Sequence, residues 1–272
     1  MRKYILHLTL FGLILLGWAG FANRQTLRDA YVRSQQEPVP EAITAEQFKE
    51  TAISVPKVTV TKVTTINENK AAPAETPPTI SVPKVTVTMN LKVPFIPQAP
   101  FKVWDAIHQD ACEEASILMV QAYVHGETSL TLAEMERRIQ GVVEYQNKHY
   151  GEFKDSDAAR TAEIMTKHLG MKGVRVLPLS SADDIKRELR AGRPIILPAA
   201  GKELHNPNFR NGGPIYHMLV IKGFTPGKFI TNDPGTRLGE NYIYDETTIM
   251  NAAHDWNNGD VMNGAKMMIV VE

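Results

Sequence analysis

The spacing of apolar residues changes along the C-terminal part of the chain, from a helical period to short runs. An apolar residue at every third or fourth position predicts an amphipathic helix, whereas short runs rich in valine, isoleucine and aromatic residues predict strands. The helical period predicts helices over 112–125, 131–148, 156–169 and 181–191. The short apolar runs predict strands over 174–179, 194–199, 215–224, 228–233, 241–245 and 266–272. Most helices precede most strands, which predicts an α+β fold with a helix N-terminus against an antiparallel sheet.

The first residues carry the pattern of an export signal. Arg2 and Lys3 precede an uncharged, largely apolar run from Tyr4 to Ala22. A cleaved signal peptide and an uncleaved membrane anchor both have this pattern. We therefore expect residues 1–22 to direct the protein out of the cytoplasm, with the remainder either secreted or held at the membrane.

Residues 23–90 differ in composition from residues 91–272, because proline, valine, threonine and lysine dominate and aromatic residues are rare. The octapeptide SVPKVTVT occurs in this segment at 54–61 and again at 81–88. Such a composition predicts an extended linker, although the alternating KVTVT could also pair as a strand. Residues 91–272 are then predicted to form one globular domain, resistant to proteases that cut the linker readily.

Charge and cysteine content limit the classes of function. The chain has 30 basic and 30 acidic residues, so no net field attracts nucleic acid, and we expect no such partner. The single cysteine, Cys112, cannot form an internal disulfide. It is either a small buried residue or a reactive thiol.

Cys112 lies where a polar loop becomes a predicted helix. A helix N-terminus favours negative charge and lowers the pKa of a thiol there. A cysteine nucleophile also needs a base and a group that orients the base. His217 lies in a predicted strand and Asp233 ends the next one, so adjacent antiparallel strands could align the pair. Gln98 and Gln109 are both candidate side-chain donors to an oxyanion, together with the backbone amide of Cys112.

These motifs resemble a known family. The segments VPFIPQAPF, ACEEASILMV, YHMLVIKGF and ITNDPG, in this order, are similar to the bacteriocin-processing-peptidase-like family, the family-thirty-nine-like group of papain-fold cysteine peptidases. The resemblance covers roughly residues 93–272. It implies a papain-like fold in which Cys112 is the nucleophile, His217 the base, Asp233 its orienter and Gln98 the oxyanion donor.

The chain departs from the family where Glu113 and Glu114 replace the usual Gly-Pro after the nucleophile. Acidic side chains beside a thiol oppose its ionisation. Either ion pairing with His217 stabilises the thiolate, or the two glutamates face solvent and are screened. The departure also keeps open a second interpretation, a catalytically inactive module that binds peptides in a papain-like cleft.

Other chemistries use some of the same residues. Amidase or acyl-transfer reactions would employ the same triad. His108, Cys112 and His217 could instead bind a zinc ion together. The loop 199–217 is expected to form a wall of the cleft, with His205 and Asn206 exposed to solvent.

The favoured prediction is a thiol hydrolase that cleaves peptide or amide bonds outside the cytoplasm. It requires no cofactor and no metal, and its expected partner is a peptide or protein substrate. The N-terminal run would provide any membrane association. No feature of the sequence predicts an oligomeric state.

Overall fold

The computed structural model describes residues 24, 26–44, 46–47 and 88–272. The helices are α1 (Cys112–Val124), α2 (Leu132–Tyr150), α3 (Ala158–Lys167), α4 (Ala182–Arg190) and α5 (Glu246–Ala252). The strands are β1 (Met89–Asn90), β2 (Val174–Pro178), β3 (Ile195–Ala200), β4 (Tyr216–Thr225), β5 (Lys228–Asn232), β6 (Tyr242–Asp245) and β7 (Met267–Val271). Helices combined with an antiparallel sheet confirm the predicted α+β class.

The strands form one seven-stranded antiparallel sheet in the order β2-β7-β3-β4-β5-β6, with the short β1 paired to the end of β4. Strand β4 is central, and nine of its ten residues are buried. Burial on both faces explains why its sequence is a nearly continuous apolar run rather than an alternating one. His217, the candidate base, is the second residue of β4. This strand pairs with β3 on one side and with β5 on the other.

Helix α1 is almost entirely buried and packs on β4 and β3. Its neighbours α2 and α3 cover its outer side. The other helices are amphipathic and begin at ordinary caps, for example Asp157, whose side chain accepts from the amide of Arg160. Helix α4 begins with a capping box between Ser181 and Asp184. The N-cap of α1 is Ala111, whose methyl side chain cannot accept a hydrogen bond. The amides of the first turn therefore lack a side-chain cap.

A part of the N-terminal segment lies against the domain. Residues 26–34 are helical, and Ile43 forms a parallel bridge with Leu91 beside β1. The backbone of Ile43 donates to Asn90 at 2.9 Å and accepts from Lys92 at 2.6 Å. Residues 26–43 therefore run from the loop after β5, where Asp29 pairs with Arg237, to the backbone beside β1.

The linker over 23–90 stays a prediction. The export signal, the first SVPKVTVT copy and all but the last residue of the second copy lie outside the described residues. Within residues 24, 26–44, 46–47 and 88–272, no helix has the length and hydropathy needed to cross a bilayer.

Candidate active site

A cleft of about 520 Å³ lies where the N-terminus of α1 meets the beginning of β4. Gln98, Cys112 and His217 all line it, although they are far apart in the sequence. Asp233 is fully buried behind His217. The fold therefore brings together the four residues that the sequence singles out.

The ring of His217 is held by Asp233. Nε2 of the ring lies 2.8 Å from Oδ1 of the carboxylate. Val220 of β4 pairs with Asn232 of β5, so Asp233, which directly follows β5, lies near His217 on the adjacent strand β4. A carboxylate can only accept here, so the ring proton sits on Nε2 and leaves Nδ1 as an acceptor.

Asp233 is ionised despite its burial. Burial alone raises the pKa of a carboxyl group, but the positive charge that His217 carries once it is protonated and the hydrogen bond from its ring outweigh burial and hold the pKa of Asp233 below its ordinary value. Three further groups donate to the carboxylate: the hydroxyl of Tyr244 at 2.6 Å, the amide of Gly235 at 3.0 Å and Nδ2 of Asn206 at 3.2 Å. The carboxylate is thus fixed in one orientation towards the ring.

The burial of Asn206 was not expected. The polar composition of the loop 199–217 indicated solvent, yet Asn206 is only 2% exposed and its amide bridges Asp233 and Tyr244. Its neighbour His205 is exposed, as predicted. Nothing in the loop itself identifies the partners of Asn206, because they come from the distant strand β6 and from the end of β5.

The thiol of Cys112 is 6% exposed and donates a hydrogen bond to Oε2 of Glu113 at 3.0 Å. Burial raises the pKa of the thiol well above its usual value, and the charge of Glu113 raises it further. A bond from the backbone amide of Met218 acts in the opposite direction. The expectation that the helix N-terminus lowers this pKa is therefore wrong, because desolvation and the adjacent carboxylate outweigh the helix dipole.

Glu113 and Glu114 do not face solvent, so that explanation of the departure is also wrong. Glu113 is 1% exposed and Glu114 is fully buried. Oε1 of Glu113 accepts from the amide of Ser156 at 3.1 Å, and Glu114 accepts from the side chain of Gln146. Burial raises the pKa of Glu113 to about 7, and burial together with the charge of Glu113 raises that of Glu114 well above the usual value.

The side chain of Gln98 is hydrogen-bonded to the far end of the loop that precedes α1. Its Nε2 donates to the carbonyl oxygens of His108 at 2.9 Å and Gln109 at 3.2 Å, and its Oε1 is buried without a partner in the described part. The loop between Gln98 and Cys112 thus folds back at the cleft. Gln109 also lines the cleft, but its side chain is exposed and donates to the carbonyl of Trp104 at 3.2 Å.

His108, a candidate zinc ligand by sequence, has carboxylate partners at both ring nitrogens. Nδ1 lies 2.8 Å from Asp105 and Nε2 lies 3.0 Å from Glu136. In the part of the chain that the structure describes, no three His, Cys, Asp or Glu side chains are grouped so as to hold a metal ion.

The model of a known protein family matches most of this chain. The model of the Peptidase_C39 like family matches residues 90–260, more than half of the chain. The chain belongs to this family. Its α+β architecture is accordingly the papain-like fold that the resemblance implied.

Among solved structures, the C39-like chain is similar to a protein from Bacillus anthracis described as a C39-like peptidase. The two share 18% sequence identity with a TM-score of 0.44, over 68% of this chain and 98% of that one. No curated protein matches the C39-like chain.

Proposed function

We propose that this protein is a cysteine hydrolase that cleaves peptide or amide bonds by means of Cys112, His217 and Asp233. The observation that supports the proposal most directly is the bond between Nε2 of His217 and the buried Asp233, at 2.8 Å. It leaves Nδ1 free to take a proton in the same cleft that holds the thiol. A base oriented by a third group beside a nucleophile is the arrangement that covalent catalysis requires.

The reaction would pass through an acyl-enzyme. His217 takes the proton of Cys112, and the thiolate attacks the carbonyl carbon of the substrate. The protonated ring then gives its proton to the leaving amine, and the acyl group remains on sulfur. Water attacks this thioester, with His217 accepting a proton from the water, and releases the carboxylic acid and the free thiol.

The negative oxygen formed at each attack needs donors. We propose the side-chain amide of Gln98 and the backbone amide of Cys112 for this role. Nε2 of Gln98 faces the carbonyls of His108 and Gln109, so binding an oxyanion requires it to exchange the longer of these two bonds, at 3.2 Å, for the substrate oxygen.

The location of the protein is proposed from the sequence pattern alone. Arg2 and Lys3 ahead of an apolar run support export, and we propose that the hydrolase acts outside the cytoplasm, free or at a membrane surface.

One observation favours a second candidate function, a peptide-binding module without catalysis. The thiol donates to Glu113, and no hydrogen bond joins it to the His217 ring among the described residues. A thiol held in this way is a poor nucleophile at neutral pH.

Labelling with a peptide-like thiol-directed probe, followed by intact-mass analysis, separates the two functions. The hydrolase should gain one adduct, Cys112→Ala should gain none, and His217→Ala should label far more slowly because the thiol has lost its base. His125→Ala is the matched control, since this histidine is exposed at the end of α1. A mixed peptide substrate analysed by mass should be cleaved by the wild type and by the control only.

A folded wild-type protein that never labels, but labels once denatured, would support the binding module. Hydrolysis that persists in Cys112→Ala would contradict the role of the thiol outright.

A further inference from the structure

The carboxyl group of Glu113 touches the nucleophile, although the triad mechanism gives it no task. Its Oε2 lies 3.0 Å from the sulfur of Cys112, while Oε1 is fixed by the amide of Ser156 at 3.1 Å. Ser156 is itself anchored, because its carbonyl accepts from the hydroxyl of Tyr216 at 2.9 Å. The carboxyl group is therefore held in a position from which it cannot readily turn away from the thiol.

Two acceptors in one cleft then compete for a single thiol proton. A charged Glu113 keeps the proton on sulfur and opposes a second negative charge beside it. A neutral Glu113 has an O–H that can donate to a thiolate, which favours that thiolate. The same side chain thus suppresses or supports the nucleophile, depending on its protonation.

We propose that Glu113 is a further catalytic residue, and that the reactive form of the site is the one in which Glu113 carries a proton. The proposal rests on the hydrolase function proposed above. In the reactive form, Glu113 has taken one proton from solvent and the thiol proton of Cys112 moves to Nδ1 of His217. The result is a thiolate that accepts from the Glu113 carboxyl group, next to an imidazolium held by Asp233.

The surroundings of Glu113 favour uptake of that proton near neutrality. No basic side chain is hydrogen-bonded to it in the described part, and the negative charge of Asp155 acts on it. Burial is the main cause that raises the pKa of Glu113, to about 7. The titratable groups around it, from its own helix, the loops on either side and β4, are Asp110, Cys112, Glu114, Asp155, Tyr216 and His217.

The consequence is a pH dependence opposite to that of an ordinary thiol. A free thiol loses its proton and becomes more reactive as pH rises. Here a rise in pH through the titration of Glu113 should return the proton to sulfur and reduce the reactivity of Cys112.

The experiment measures the rate of Cys112 alkylation by iodoacetamide, an uncharged reagent, between about pH 5 and 9. In the wild type we expect the rate to fall above about pH 7, by up to tenfold per pH unit. Glu113→Gln, which imitates the neutral carboxyl group, should remove this decline. Glu114→Gln is the matched control: it removes the adjacent buried carboxyl group, which does not touch the thiol, and should keep the decline.

A second measurement needs no variant at position 113. The ultraviolet absorbance of the thiolate, taken as the difference between the wild type and Cys112→Ser, should decrease as pH rises through neutrality. An absorbance that increases over this range, or a Glu113→Gln profile identical to that of the wild type, overturns the proposal. Loss of alkylation at every pH in a folded Glu113→Gln protein overturns it as well, since the carboxylate would then be the required base.

Alkylation also keeps the two proposals separable. A protein that alkylates with the declining profile yet cleaves no peptide contradicts the hydrolase function and leaves the role of Glu113 in thiol reactivity intact. If the wild type cleaves peptides and its pH profile of alkylation is the same as that of Glu113→Gln, only the role of Glu113 is contradicted.

Discussion

Gly235 leaves the space that the ring of His217 occupies. A Cβ atom at this position would lie 2.9 Å from Cε1 of His217 and 2.9 Å from Cε1 of Phe209. Such a contact would displace the ring, and a misplacement of about 1 Å can cost a hundredfold in rate. We expect Gly235→Ala to lower kcat/KM for peptide cleavage by roughly tenfold or more.

The control for this substitution is Gly141→Ala in the middle of α2, where a Cβ atom meets nothing within 4 Å. Alanine should raise helix stability there by about 0.5–1 kcal/mol and leave turnover alone. Equal turnover in the two variants would mean that the ring position does not limit the reaction.

Gln98 and Gln109 can be distinguished by comparing two reactions of the same thiol. Loss of one oxyanion donor slows acyl transfer by about a hundredfold or more. Alkylation by a small reagent forms no oxyanion. We therefore expect Gln98→Ala to lose peptide turnover while keeping most of its iodoacetamide reactivity, and Gln109→Ala to keep both. The reverse pattern in the two variants would assign the donor to Gln109.

At the residue scale, sequence order predicts which side chains meet but not which polar ones are buried. The order of Cys112, His217 and Asp233 was enough to predict that they lie near one another, because Cys112 begins a helix, His217 lies in a strand and Asp233 directly follows the next strand. The burial of Glu113 and Asn206 could not be predicted, since polar side chains are buried only when partners satisfy them. Those partners, which include the Ser156 amide and the Tyr244 hydroxyl, become neighbours only through the tertiary fold.

At the scale of elements, the first turn of α1 makes the stability of the fold depend on pH. The folded-state pKa of Glu113, about 7, lies above its ordinary value of 4.5, so the folded state binds more protons here than the unfolded chain. The stabilisation is complete below the unfolded value and is lost as pH rises through the folded one. The loss amounts to about 3 kcal/mol, at about 1.4 kcal/mol per pH unit.

Chemical denaturation at several pH values tests this dependence. Between about pH 5 and 8 the free energy of unfolding of the wild type should decrease, and Glu113→Gln should decrease less over the same range. If the two proteins give parallel curves of unfolding free energy against pH, the pKa of Glu113 does not differ between the folded and unfolded states.

The helices and strands were the most predictable part of the molecule. Each predicted helix and strand is present, with ends displaced by a few residues at most, because apolar spacing reports directly on the buried face. The two-residue β1 and the short α5 escaped prediction. Both are too short to show a period, and β1 exists only through its pairing with β4.

At the scale of the whole molecule, an ion pair attaches the N-terminal segment to the rim of the cleft. The guanidinium group of Arg237 donates to both oxygens of Asp29, at 2.6 and 2.5 Å, and Arg237 lines the cleft. Bidentate pairs of this kind are stronger and more specific than single contacts. Arg33 adds a bond to the carbonyl of Arg237 at 3.0 Å.

Removing this pair should release residues 26–34 without unfolding the domain. We expect Asp29→Ala to speed tryptic cleavage at Arg28 and Arg33, measured by mass, while the melting temperature changes by only a few degrees. Glu41→Ala, at an exposed position of the same segment, should be cut at the wild-type rate. Identical cleavage of all three proteins would show that the ion pair does not retain the segment.

The bridge between Ile43 and Leu91 has a topological consequence. Residues 26–43 and residues from 88 onward both rest on the same body, although 40 and more positions separate them in the sequence. A single break of the chain between positions 48 and 87 would therefore yield two fragments that migrate together under native conditions and separate only on denaturation. Because Asp29 and Ile43 already contact the domain, the length of chain between positions 48 and 87 adds nothing to the span between residue 26 and the cleft, and an attachment ahead of residue 26 would hold the cleft close to it.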